Sequence, residues 1–369
     1  VEREGLAEFA AGQSELLFIE EKDGLTEAQA KAILYGRPGA PPIVGKSDET
    51  GAFMIPSDEQ LDPLQLALVI AERLRRLGSE PSEIAERVTA LSSAMTRVAS
   101  QKPGDAVRAP YFCSGCPHNT STRFPDGSLA GGGIGCHAMA MYSGPEMLPN
   151  TQMGGEGAHW YSLAHFTKTP HIFQNIGDGT YYHSGLLAIR GAVAAKVNMT
   201  YKILFNDAVA MTGGQPVDGP LTPGDVTRQV LAEGVERCIV VTDRPDLYDA
   251  SSGLGDGVTV HHRDELDALQ RELREVKGVT VIVYEQTCAA EKRRRRKRGK
   301  FPDPAKRMFI NSAVCEGCGD CSVQSNCVSV WPKETELGRK RQIDQSNCNK
   351  DYSCVKGFCP SFITVLDAE

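Results

Sequence analysis

No apolar run in this 369-residue chain approaches the ~20 residues that a membrane-spanning helix needs, so a membrane protein is not expected. Positive charge is not in excess either. With 40 Lys and Arg against 47 Asp and Glu the net charge is −7, which argues against a general nucleic-acid surface. Residues 1–20 lack the basic-then-apolar order of a secretory signal. The opening VEREGLAEFAAGQSELLFIEEK has no initiating Met and reads as the interior of a domain, so a longer polypeptide in the cytoplasm is expected. Cysteine is too sparse for a disulfide scaffold, at 12 in 369 residues. What the chain does have is 41% apolar residues, enough for real cores, and a length that suits two or three domains.

The cysteines are unevenly spread. Seven of the 12 fall from Cys315 onward, in CEGCGDCSVQSNC (315–327) and CNKDYSCVKGFCP (348–360). Without a secretory signal, clustered thiols bind metal more often than they form disulfides. Bacterial-type ferredoxin modules use C-x2-C-x2-C followed by a Cys-Pro, and the last Cys ligates the other cluster of the pair. On that pattern Cys315, Cys318, Cys321 and Cys359 hold one cluster. Cys327, Cys348, Asp351 and Cys354 hold the second, with an aspartate in the middle place of its triplet. A carboxylate is harder than a thiolate and exchanges more readily. The second site is therefore either a four-iron cluster with Asp351 as a labile ligand, or a three-iron cluster lacking that iron. A zinc ribbon would use two separated C-x2-C pairs rather than triplets at steps of three.

Between residues 109 and 287, short apolar strands alternate with helices. HIFQNIGDG (171–179), TYKILFND (200–207), RCIVVTD (237–243) and VTVIVYEQTC (279–288) read as strands. SGLLAIRGAVAA (184–195), TPGDVTRQVLAEGV (222–235) and RDELDALQRELREV (263–276) read as helices. This order implies an α/β domain with a doubly wound parallel sheet, whose ligands sit at the carboxyl ends of strands. Gly177, Asp178 and Gly179 end one strand, and Asn206 ends the next, 28 positions on. Two hard oxygen ligands at adjacent strand ends suit Mg2+ that keeps further sites for phosphate. The glycines admit close backbone approach, and the following helix turns its N-terminus to the anion. Upstream, ELLFIEE (15–21) reads as a strand and TEAQAKAILYG (26–36) as a helix. Two further helices follow Asp62 and Pro81, and a linker runs through Pro103, Gly104 and Pro110.

CSGCPHNTSTRFPDGS, GIGCHAMAMY, NIGDGTYYHSG, FNDAVAMTGGQPVDG and VCEGCGDCSVQSNCVSV together resemble the indolepyruvate ferredoxin oxidoreductases, within the 2-oxoacid:ferredoxin oxidoreductase family. The likeness is to the long fused bacterial form and covers essentially the whole chain. It implies a thiamine-diphosphate-binding domain over 109–292, a basic linker over 293–307 and a ferredoxin-like two-cluster domain over 308–369. Residues 1–50 would end a preceding α/β domain, and 51–108 would form a helical connector. Mg2+ would be held by Asp178, Asn206 and the main-chain carbonyl of Ala208, with Gly135, Gly177 and Gly179 beside the cofactor. A third cluster, on Cys113, Cys116, Cys136 and Cys288, would lie next to thiamine, although the CPH after the first pair departs from the CGH or CGE of better-known members.

The resemblance further implies oxidative decarboxylation of an aryl 2-oxoacid to its acyl-coenzyme A. Electrons would pass one at a time through two or three clusters, [4Fe-4S] with one of them either [4Fe-4S] or [3Fe-4S], to a ferredoxin. A pyrimidine-binding domain before Val1 and a gamma-type domain after Glu369 would complete a homodimeric enzyme, so this stretch alone is expected to be inactive. His118, His137, His183 and Glu156 are candidates for the catalytic site, with ordinary structural roles equally open. The run KRRRRKR (292–298) is either a docking site for ferredoxin or a solvated linker, and Cys238 is a plain buried thiol. Two alternatives remain. One is an electron-carrier subunit with a non-catalytic α/β domain, and the other is a non-oxidative thiamine-dependent decarboxylase that has no use for iron.

Overall fold

The computed structural model describes residues 1–58, 60–100, 110–142, 146–217, 219 and 221–367. Pro103 and Gly104 of the expected linker lie outside the described residues. Two compact units, Val1–Val107 and Arg108–Glu369, divide the chain. Among the described residues no helix is long and apolar enough to cross a membrane.

In the first unit, Leu16–Leu17 pairs in parallel with Ile43–Val44, so the strand read over 15–21 shrinks to two residues. Helices Arg3–Ala10 and Leu25–Leu34 close a small core of Ala10, Leu16 and Leu34. The helix Pro63–Arg76 starts where Asp62 accepts the Leu64 amide at 2.8 Å, with Pro63 pre-set in its first turn. The boundary expected at residue 50 is not a seam. Arg73, on that helix, is buried against the carboxylates of Glu15 and Glu49, so residues on both sides of 50 pack as one unit.

The second unit is built on a six-stranded sheet, all of whose pairings are parallel. In chain order the strands are β1 (Leu129–Gly131), β2 (Ile172–Gly177), β3 (Met199–Phe205), β4 (Arg237–Thr242), β5 (Thr259–His262) and β6 (Val279–Glu285). In space they run β1-β2-β3-β6-β4-β5. The inner strands are near-continuous apolar runs because both faces are covered. On one face Tyr201, Ile203, Val281 and Val283 pack under the helices Leu186–Ala194 and Pro223–Ala232, α1 and α2. On the other face Leu204, Ile239, Val241, Ile282 and Tyr284 meet the helix Leu266–Leu273, α3. Helix α2 is entered through a capping box of Thr222 and Asp225 with Pro223 between them. The sheet thus follows the expected α/β pattern, and the two edge strands β1 and β5 are added to it.

The basic run does not form a solvated linker. Ala289–Lys297 is a helix, α4, that follows β6 directly. Its arginines reach outward to carbonyls and carboxylates on both sides. Arg295 pairs with Asp207 at 2.6 Å and Arg294 donates to the Gly213 carbonyl at 2.7 Å. Arg296 donates to the Asn349 carbonyl at 2.9 Å, and Arg293 to that of Ser346. The charge is therefore spent on joining the sheet domain to the cysteine-rich tail. In the tail, Lys306–Ile310 and Phe362–Leu366 pair antiparallel, and Val330–Thr335 with Gly338–Ile343 makes a hairpin. Neither pairing was visible as an element in the sequence.

Candidate active site and thiol clusters

Asp178 sits immediately beyond the carboxyl end of β2, nearly fully buried. Its Oδ1 accepts the Gly179 amide at 2.8 Å. Its Oδ2 accepts the amides of Asn206 at 2.9 Å and Asp207 at 3.0 Å, just beyond β3. Asn206 Oδ1 in turn accepts the Ala208 amide at 3.2 Å. The 28-residue spacing thus brings the two strand ends together. Burial pushes the Asp178 carboxyl up to about 6 despite the three amides. The other group acting on it is the Asp207 carboxylate, which is itself paired with Arg295 at 2.6 Å. A buried carboxylate at a hard-oxygen site, with no ion-pair partner of its own among the described residues, fits a divalent cation.

Asp178, Asn206 and Ala208 face a cleft of about 590 Å3 that Gly135, Cys136 and His137 also line. Gly135 has φ 147°, and a Cβ there would come within 2.8 Å of the His137 ring. Only glycine lets the chain pass between that ring and the cleft. The cleft also takes in Gly177, Gly179, His118 and His183.

The histidines separate by environment. His118 and His137 are buried with their rings edge to face at 5.6 Å. Burial lowers them to about 3 and about 4, so both are neutral. His137 Nε2 is buried without a partner. His183 is exposed on the cleft wall, with Nδ1 2.7 Å from Ser184 Oγ. Glu156 is not among the residues that line the cleft. It is fully buried, its Oε2 accepts the Gly154 amide at 2.7 Å, and burial raises its pKa.

Cys113, Cys116, Cys136 and Cys288 come together from four separate positions of the chain. Burial, then the Cys113, Cys288 and Cys136 thiols, push Cys116 well above the usual thiol range. Burial and Cys288 raise Cys113, and burial, Cys288 and Cys113 raise Cys136. The Cys288 amide donates to the Asn206 carbonyl at 2.9 Å, tying this group to the oxygen site. Cys238 stands apart in β4, pushed up to about 12 by burial alone. In the tail, burial and then the Cys327 thiol raise Cys348, and burial followed by the Cys327, Cys348 and Cys321 thiols raises Cys354 to about 12. Cys315 and Cys321 are a second neighbouring pair, and the Gly317 amide donates to Cys315 Sγ at 3.4 Å. Cys318 is exposed, and the segment before Cys359 packs on Asp320 through Gly357. Among the described residues no three of these side chains close on a single bare ion. A cuboidal cluster holds its thiolates farther apart than one ion does, and an all-thiolate donor set is the set it takes.

Lys202 was not foreseen. It lies in the middle of β3, fully buried, and its Nζ donates to the carbonyls of Ser121 and Arg123, both at 2.8 Å. It thereby fixes the loop that carries Cys113 and Cys116. A lysine inside the apolar string YKILF was the available signal. Burial lowers its pKa from 10.5 to about 7. Between those values the unfolded chain keeps a proton that the folded chain has released. Stability therefore rises with pH across that window, by up to about 1.4 kcal/mol per pH unit. Lys202→Met removes this rise, so urea unfolding of the two proteins at pH 7 to 10 should show a difference that grows with pH in favour of the wild type. A pH-independent difference would contradict the lowered pKa of Lys202.

Residues 1–98 match the family model described as the indolepyruvate oxidoreductase domain, and residues 133–284 match that of the thiamine pyrophosphate enzyme C-terminal TPP binding domain. Indolepyruvate oxidoreductase subunit IorA of Thermococcus kodakarensis is 26% identical over 96% of this chain and 53% of its own. Over these stretches the chain is similar to the indolepyruvate oxidoreductases. The subunit of the same name from Archaeoglobus fulgidus is 27% identical over 96% of this chain and 52% of its own. The chain thus spans about half the length of the curated relatives it matches. A solved 2-oxoglutarate:ferredoxin oxidoreductase from Magnetococcus marinus aligns over 55% of this chain and 70% of that one, at 19% identity and a TM-score of 0.36. The sheet domain is accordingly a thiamine-diphosphate-binding α/β fold.

Proposed function

We propose that the complete protein oxidatively decarboxylates an aryl 2-oxoacid of the indolepyruvate type to the acyl-coenzyme A, with ferredoxin as electron acceptor. The observation that carries this reading is the shared cleft. Cys136 lines the same wall as Asp178 and Asn206, and Cys288 is hydrogen-bonded to Asn206. The thiols and the oxygen site therefore share one cleft and are joined by one backbone hydrogen bond.

In this reading Asp178, Asn206 and the Ala208 carbonyl hold Mg2+, and the diphosphate lies against the Gly177–Gly179 turn. Bound thiamine diphosphate supplies carbanion chemistry at a keto carbon, and iron–sulfur clusters on the cysteines accept electrons singly. Cys113, Cys116, Cys136 and Cys288 hold the cluster beside the cleft. Cys327, Cys348 and Cys354 hold a second, and Cys315, Cys318, Cys321 and Cys359 a third. His118 and His137, neutral and buried, keep the cleft floor free of added charge. His183 is an exposed side chain on the cleft, placed to meet substrate. The ferredoxin-like character of the tail, a cytoplasmic homodimer and completion by pyrimidine-binding and gamma-type domains belong to the same proposal.

The full-length protein, purified without oxygen, tests it. Indolepyruvate with coenzyme A should reduce added ferredoxin, and omitting either should stop reduction. Release of CO2 with no reduced ferredoxin would favour a non-oxidative decarboxylase instead.

A further inference from the structure

Asp351 occupies the triplet position where a ferredoxin-type site carries a cysteine, yet its carboxylate is engaged elsewhere. Oδ1 accepts Arg263 Nη1 at 2.5 Å and Gln286 Nε2 at 3.3 Å, and Oδ2 accepts the Ser353 hydroxyl. The other Arg263 nitrogen, Nη2, donates to the Asp351 carbonyl at 2.9 Å. Arg263 follows β5 and Gln286 follows β6, so both partners belong to the sheet domain, and Gln286 is two residues from Cys288. Arg263 is itself buried. Turning the carboxylate toward iron would strand a buried guanidinium without its counter-charge, which is strongly unfavourable.

The surroundings of Asp351 are arranged for contact. Gly115, between Cys113 and Cys116, has φ 63°, and a Cβ there would come within 2.9 Å of the Asp351 Cβ. Ser114 Oγ lies 3.3 Å from Cys327 Sγ and 2.5 Å from Ser329 Oγ. Asn349 donates to the Ala289 carbonyl at 2.6 Å, next to Cys288. Lys350 and Tyr352, on either side of Asp351, both hold φ near +60°, at 55° and 63°. Non-glycine residues keep that backbone where surrounding contacts over-determine it.

We propose that Asp351 is a docking anchor, not an iron ligand: through Arg263 and Gln286 it clamps the Cys327, Cys348 and Cys354 site against the Cys113–Cys116 loop, and that site has three protein ligands. This rests on the cluster assignment above. A thiolate bound to iron at this position would have given a fourth ligand, with its charge directed to the cluster and not to Arg263. The aspartate trades the ligand for a fixed spacing between the cleft-side thiols and the tail.

The test uses full-length protein purified anaerobically, as wild type, Asp351→Asn, Arg263→Met and the double variant. Iron content, the EPR spectrum and hydrogen–deuterium exchange over 345–356 are measured on each, with circular dichroism as the check of folding. The two single variants should keep the wild-type iron content and EPR signal. Each should speed exchange over 345–356 by about tenfold or more, and the double variant should add little, because one clamp is being opened. A loss of about one iron per chain, or a changed cluster signal, in Asp351→Asn but not in Arg263→Met would overturn the proposal in favour of ligation. Unchanged exchange in both would overturn it too. Absence of iron from the wild type would defeat the cluster assignment instead, and the exchange result would still report on the clamp.

Discussion

Replacing Asp178 by alanine is expected to abolish Mg2+-dependent binding of thiamine diphosphate by the full-length protein. Losing a residue that merely orients a metal ligand typically costs about 10–100-fold in metal affinity, so losing the ligand itself should weaken binding by at least about 100-fold. Asp178 also organises the turn, because its oxygens accept the amides of Gly179, Asn206 and Asp207. Asp178→Asn comes closer to separating the two roles, since the amide oxygen can still accept from Asn206 and Asp207 while the Gly179 amide loses its acceptor and the ion loses the charge. Burial makes the charged carboxylate a cost to the folded protein, as its rise to about 6 records. Above that pH the asparagine variant should be no less stable than the wild type when the cofactor is absent, yet it should fail to bind Mg2+. Isothermal titration with Mg2+ and thiamine diphosphate, beside thermal unfolding of the cofactor-free proteins, checks both halves. Retained binding in either variant would refute the assignment.

The second large effect concerns Cys288. Cys288→Ala removes one of the four thiols grouped beside the cleft and should cost about four iron atoms per chain. Signals from the tail clusters should remain, because those thiols lie on other segments. Thiamine diphosphate should still bind to within about tenfold, because the link to Asn206 runs through the Cys288 backbone amide and survives the substitution. Electron delivery to ferredoxin should be lost. Cys238→Ala is the control, since Cys238 is buried in β4 away from the other thiols, and its iron content should equal that of the wild type. Iron analysis and EPR on the three proteins decide the matter. Unchanged iron in Cys288→Ala would remove this residue from the cluster.

Much of this was legible in the chain because it is written in short-range pattern. The alternation of apolar strands with helices fixes the order of β2, β3, β4 and β6, and glycine-flanked Asp178 with Asn206 marks two strand ends. The step of three between cysteines is equally local. What stayed hidden depends on partners far apart in sequence. β1 and β5 are short edge strands of three and four residues, below the length at which periodicity can be read. The hairpin Val330–Thr335 with Gly338–Ile343 carries almost no buried face, so its residues have no apolar alternation to betray it. Arg293–Arg296 read as solvated charge, because their acceptors at Ser346, Gly213, Asp207 and Asn349 are at least 50 residues away. From its place in the triplet, Asp351 read either as a labile ligand or as the place of a missing iron. Its engagement by Arg263, 88 residues earlier, emerges only in three dimensions.

The joint presence of thiamine diphosphate and iron–sulfur clusters in one polypeptide is tested most directly by stoichiometry. Iron, acid-labile sulfide and thiamine are measured together on the full-length protein, purified without oxygen and saturated with Mg2+ and thiamine diphosphate. About eleven or twelve iron per bound thiamine is the expected result, the lower figure if the Cys327, Cys348 and Cys354 site holds three irons. Iron near eight with no thiamine, or thiamine with no iron, would contradict it.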